Sequence, residues 1–170
     1  MIRIVILFIS ILLAMTTVSA KTITGKVIKV SDGDTIVIQS SKNKKLKVRL
    51  AKIDAPELAQ PYGQAAYIAL NQLLISQTVK IEYKNKDRYQ RIVGQVYLNN
   101  LDVGAEMVSQ GHAWVYRQYS NDFYLYGLEY WARFTQKGLW VLPTDQRVPP
   151  WEWRHTNLSR NTKSKKIYVF

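Results

Sequence analysis

From residue 22 the apolar positions recur with a period of two, which predicts half-buried strands. Thr22 to Val30 is rich in β-branched residues. A turn at Ser31-Asp32-Gly33 leads to a second such run, Thr35 to Gln39, and Asp-Gly between two β-rich runs is a hairpin signal. Polar Lys42-Asn43-Lys44-Lys45 separates this from a third run, Leu46 to Ile53, so the three strands form an antiparallel meander. Val79, Ile81 and Tyr83 alternate with Lys80, Glu82 and Lys84, and a polar loop then leads to Ile92 to Leu98, giving strands four and five.

Between strands three and four the period changes to that of a helix. Ala66, Ala69, Leu70, Leu73 and Leu74 share one face over Gln64 to Ser76. A short helix is expected near Asp102 to Gln110, closed by Gly111, and a last one from about Asn121 to Lys137, ended by Gly138. Tyr124, Tyr126, Tyr130, Trp131 and Phe134 lie at mixed helical spacings and are assigned to packing rather than to base stacking. Five short strands with one inserted helix and two terminal ones predict an α+β, mainly β, fold: a five-stranded Greek-key barrel of the oligonucleotide/oligosaccharide-binding (OB) type with three helices.

The two ends read differently. Met1-Ile2-Arg3 is a basic head, Ile4 to Met15 is almost wholly apolar, and Val18-Ser19-Ala20 places small residues where a signal peptidase cuts. Residues 1–20 are therefore expected to be an export signal. An uncleaved anchor helix is the alternative, but the apolar run is shorter than the roughly 20 residues a span requires. Residues 21–142 form the expected single domain, a monomer with no membrane span. Residues 143–170 form a basic tail containing aromatic residues, in which Trp151 and Trp153 are expected to dock and the rest to be mobile.

Composition narrows the chemistry. There is no cysteine, which removes disulfides, thiol catalysis and cysteine-ligated zinc. His112 and His155 are far apart in the chain and in no metal-binding spacing. The formal net charge of +12 favours a polyanionic partner, although a basic surface without a specific partner, or one adhering to anionic membranes, has the same signature.

Three runs carry the candidate chemistry: Ser31 to Thr35, Val48 to Glu57 (V-R-L-A-K-I-D-A-P-E) and Asp87 to Arg91 (D-R-Y-Q-R). Asp34 and Asp54 lie at strand ends of the meander, where two carboxylates repel unless a cation lies between them. Oxygen-only ligands point to Ca²⁺ or Mg²⁺. Arg49 and Arg91 offer bidentate donors suited to phosphate. Glu57, three residues after Asp54 across Ala55-Pro56, is placed to accept a proton from water or orient it. Taken singly, each has an ordinary role as a turn aspartate, a surface arginine or a loop glutamate.

Taken together and in order, the motifs D-G-D-T (Asp32 to Thr35), V-R-L-A-K-I-D-A-P-E and D-R-Y-Q-R resemble the staphylococcal nuclease family, over about Thr22 to Trp140. The resemblance implies calcium held by Asp34, Asp54 and the Ala55 carbonyl, phosphate held by Arg49 and Arg91, and Glu57 as base or water organiser. It places Arg88 and Tyr89, and with them Arg117 and Tyr119, at the substrate. It implies an exported, calcium-dependent enzyme that cleaves DNA and RNA to 3′-phosphate products. The loop Leu58 to Gly63 is shorter than in the family's best-known member. The competing reading is a catalytically inactive OB-fold protein that only binds nucleic acid. A weaker third reading is a basic protein that adheres to anionic surfaces.

Overall fold

In the computed structural model residues 20–156 are described, so the expected export signal before Ala20 and the tail after Thr156 lie outside the described residues. The strands are β1 (Lys21–Val30), β2 (Thr35–Ser40), β3 (Lys45–Leu50), β4 (Ile53–Asp54), β5 (Thr78–Lys86), β6 (Ile92–Leu98), β7 (Leu101–Asp102) and β8 (Trp114–Val115). The main sheet runs β3-β2-β1-β5-β6-β7, and a parallel β3–β6 pairing closes it into a barrel of five strands. Closure covers the edge of β3 over Val48, Arg49 and Leu50, which pair with Ile92, Val93 and Gly94.

Alternation along the strands fills the barrel. Val27, Ile36, Ile38, Val48, Ile81 and Val96 point inward and are essentially inaccessible, each contributing about 1.5–3 kcal/mol by burial. Helix α1 (Gly63–Leu74) caps the barrel with Ala66, Leu70 and Leu74, spaced four apart and fully buried. Helices α2 (Val103–Ser109) and α3 (Phe123–Phe134) pack on one another beside it.

Two expectations need correction. The described residues contain four α-helices rather than three, because the chain is helical again over 150–156 (α4), inside the stretch expected to be tail. Pro150 at the first helical position, with its fixed φ and missing N–H, starts this helix. The aromatics of α3 also do not all pack. Leu125, Glu129 and Ala132 form its buried face, leaving Phe123, Tyr124, Tyr130, Trp131 and Phe134 exposed. Of the five assigned to core or helix-face packing, Tyr126 packs against the core, and Trp131 meets Phe134 on the helix face with ring centres 5.5 Å apart. No helix among the described residues is long and apolar enough to cross a membrane.

Candidate active site

The meander converges its polar strand ends at one rim of the barrel. Thr35 pairs with Arg49 across β2–β3, and the Leu50 amide donates to the Asp34 carbonyl at 2.8 Å, so Asp34 lies beside Arg49. The β4–β8 ladder sets Asp54 opposite Trp114. The Ala55 amide donates to Asp34 Oδ2 at 2.9 Å, tying the end of β4 to the turn before β2.

Arg49 joins the two aspartates. Its Nη2 donates to Asp54 Oδ1 at 2.6 Å and its Nη1 lies 2.8 Å from Asp34 Oδ2. The second contact is ionic only. Nη1 is buried yet has no aligned hydrogen-bond acceptor among the described residues. Asp54 is wholly inaccessible and Asp34 nearly so. Burial, with the Asp34 charge added, pushes the Asp54 carboxyl above the usual range despite its arginine contacts. Burial pulls the Arg49 guanidinium down, but Asp34 and Asp54 outweigh that and hold it up. Neighbouring Asp32, whose Oδ1 accepts the Asp34 amide, is pushed up to about 6 by burial and by the Asp34 charge.

Glu57 sits where the loop is tightly closed. The Gln60 amide donates to the Glu57 carbonyl at 2.8 Å, and the Glu57 amide donates to Gln60 Oε1 at 3.2 Å. Gly63 is required beside it, because a Cβ there would lie 1.8 Å from the Glu57 carbonyl oxygen. The Glu57 side chain is 39% exposed and its Oε1 accepts from Arg154 Nη1 at 2.8 Å.

Asp34, Arg49, Asp54, Ala55 and Glu57 are thus gathered at one rim. The other expected residues have their own local contacts. Arg91 is ion-paired with Asp87 at 2.7 Å. Arg88 and Tyr89 are exposed, with the Arg88 guanidinium 4.9 Å and that of Arg91 5.5 Å from the centre of the Tyr89 ring. Arg117 donates to the buried Glu129 and lies over the Tyr126 ring at 4.9 Å. Tyr119 is exposed and meets Tyr116 edge-on at 4.8 Å.

Sequence reasoning did not single out Arg154, Tyr116 or Glu129. Arg154 Nη2 donates to Asp54 Oδ2 at 2.7 Å and its Nη1 reaches Asp54 Oδ1 at 3.2 Å as well as Glu57. The signal for it was the Pro-Pro-Trp-Glu-Trp-Arg run, a helix start one turn before an arginine.

Comparison with known proteins decides what this rim belongs to. The family model described as Staphylococcal nuclease homologue matches residues 47–141. The chain belongs to the staphylococcal nuclease family. A Haemophilus influenzae protein named uncharacterized endonuclease is 42% identical over 153 residues, covering 88% of this chain and 84% of that protein. An Escherichia coli protein of the same name is 44% identical over 132 residues, covering 77% and 84%. A micrococcal nuclease of Shigella flexneri is 38% identical over 144 residues, covering 78% and 81%. The protein is a nuclease, a phosphodiester hydrolase built on a mainly β barrel.

Proposed function

We propose that this nuclease is an exported, calcium-dependent enzyme that hydrolyses both DNA and RNA with little sugar specificity, leaving 3′-phosphates. The observation that carries the reading is the Arg49 bridge between two buried aspartates, with one guanidinium nitrogen lacking an aligned acceptor. A guanidinium held against two carboxylates at the rim carries the bidentate donors from which phosphate oxygens accept. Export is supported by the basic head, apolar run and small residues of positions 1–20.

The donor set fits a hard cation. Asp34 and Asp54 offer only oxygens, and both are already balanced by guanidinium charge. Among the described residues no three His, Cys, Asp or Glu side chains are grouped to hold a metal, so carbonyls such as that of Ala55 and water would complete a calcium shell of six to eight oxygens. When bound, calcium supplies positive charge against the phosphate oxygens.

The chain's own residues divide the remaining work. Arg49 and Arg91 bind the non-bridging oxygens, and Glu57 takes the proton of the attacking water. The water oxygen bonds to phosphorus, the bond to the 5′ oxygen breaks, and that oxygen takes a proton from solvent. Arg88, Tyr89, Arg117 and Tyr119 line the path of the substrate strand, their exposure leaving them open to it.

The test is hydrolysis of single-stranded DNA and of RNA with calcium, with magnesium and with chelator, followed by end-group analysis. Chelation is expected to abolish turnover, and calcium to restore it with 3′-phosphate ends. Glu57→Ala is expected to lose at least ~10²-fold in kcat with an unchanged thermal midpoint. Unchanged turnover in that variant would remove Glu57 from its role.

A further inference from the structure

Helix α4 brings a third arginine to the carboxylates, and its placement is fixed from outside the motifs. Trp151 stacks face to face on Tyr116, with ring centres 5.5 Å apart and planes at 5°, and meets Trp114 edge-on at 5.8 Å and 78°. Gln60 Nε2, in the loop after Glu57, donates to the Val148 carbonyl. Trp114 is the residue opposite Asp54 in the β4–β8 ladder. The helix is therefore anchored to the strand pair and the loop that carry Asp54 and Glu57. Arg154, almost one turn beyond Trp151, falls on those two carboxylates.

The contact is a fork. Nη2 and Nη1 take the two oxygens of Asp54, and Nη1 also takes Glu57 Oε1. The Arg154 side chain is 37% exposed, so it is open to solvent on the side away from the protein. The rim holds Asp34, Asp54 and Glu57, with Asp32 beside them, against Arg49 and Arg154, so acidic groups outnumber the guanidinium groups. A divalent cation seeking Asp54 meets a guanidinium already on both its oxygens. Once displaced, the same planar fork has the geometry to take two oxygens of a phosphate. The helix need not move for this, because it is held through Trp151 rather than through Arg154.

We propose that Arg154 is a further active-site arginine: it neutralises Asp54 and Glu57 until a divalent cation takes Asp54, and then binds the substrate's phosphate. This rests on the nuclease site described above. It differs from a purely blocking contact, in which Arg154 would only hinder cation and substrate.

The experiment pairs two readouts on the full chain, for wild type, Arg154→Ala and Arg154→Lys. Calcium is titrated calorimetrically into substrate-free protein, and hydrolysis of single-stranded DNA is measured at saturating calcium. Arg154→Ala is expected to bind calcium roughly tenfold more tightly, the competing charge-assisted bonds being gone, yet to lose about 10²-fold in kcat/KM. Arg154→Lys, which keeps the charge without the fork, should fall between wild type and alanine in both. Faster turnover in Arg154→Ala would make the contact a block and overturn the proposal, as would unchanged calcium affinity. Lower calcium affinity or a collapsed thermal midpoint in both variants would make Arg154 structural and also overturn it. A wild-type protein that hydrolyses nothing in any cation fails the proposed function itself, an outcome distinct from active wild type with unaffected variants.

Discussion

Arg49 is the residue on which the rim depends in the absence of a cation. It faces Asp34 and Asp54 together, and both carboxylates are almost out of reach of water. Removing one partner of a buried ion pair leaves the other charge uncompensated, which costs about 3–5 kcal/mol. Arg49→Ala is therefore expected to lower stability to urea by roughly 3 kcal/mol, the lower end because Arg154 remains on Asp54. Calcium should return part of that loss, so unfolding curves with and without calcium check both the ion pair and the cation site. Single residues of this kind were only half legible in the sequence. Aspartate beside glycine, or arginine in a strand, has a common structural use, and only the joint spacing of Asp34, Arg49, Asp54, Glu57 and Arg91 pointed to one site. The ion pair of Arg117 was not legible at all: its exposed side chain contacts the buried Glu129, and nothing local to Arg117 announces a partner twelve residues on.

At the scale of elements, the rim is held by joints between segments. Gly111 and Gly138 lie against each other with positive φ, and the Leu139 amide donates to the Gly111 carbonyl at 2.8 Å. A Cβ at Gly138 would lie 2.3 Å from that carbonyl oxygen, in addition to the left-handed backbone cost of about 1–2 kcal/mol. Gly138→Ala is expected to cost more than ~2 kcal/mol, read as a lower midpoint in thermal melting. A second joint is expected to respond to pH. Tyr62, next to α1, shares a hydrogen bond of 3.0 Å with His112 Nδ1, beyond α2. Burial holds His112 below its ordinary 6.5, with Glu106 opposing weakly. A depressed histidine contributes stability that is present above pH ~6.5 and lost as the pH falls through the lower folded value, since the unfolded chain takes the proton first. Melting between about pH 7.5 and 5 should therefore fall more steeply in wild type than in His112→Gln. Periodicity located every strand of the barrel and three of the helices. It missed α4 because seven residues give too short a window, and it misassigned the α3 aromatics because spacing alone does not say which face of a helix meets the core.

Over the whole molecule, the net charge of +12 sets how the nuclease meets a polyanion. Single-strand binding weakens with salt in proportion to the phosphates neutralised, so three contacts give roughly a 20-fold loss between about 50 and 200 mM salt. The KM for single-stranded DNA is expected to rise by that order across this range at fixed calcium, with kcat changing far less. A flat salt profile would mean that few of the arginines engage phosphate.

The sequence by itself determined the barrel, the order of its elements, the family and five of the residues at the rim. These follow from properties written locally: period-two burial, turn residues, and motifs whose intervals are fixed along the chain. Only the tertiary structure decided how the rim is neutralised. Closure by β3–β6 and the β4–β8 ladder brings Arg49 between two aspartates, and the docking of Trp151 on Trp114 and Tyr116 delivers Arg154 from 100 positions away. Contacts at such separation depend on which faces pack together, a global property that no local pattern encodes.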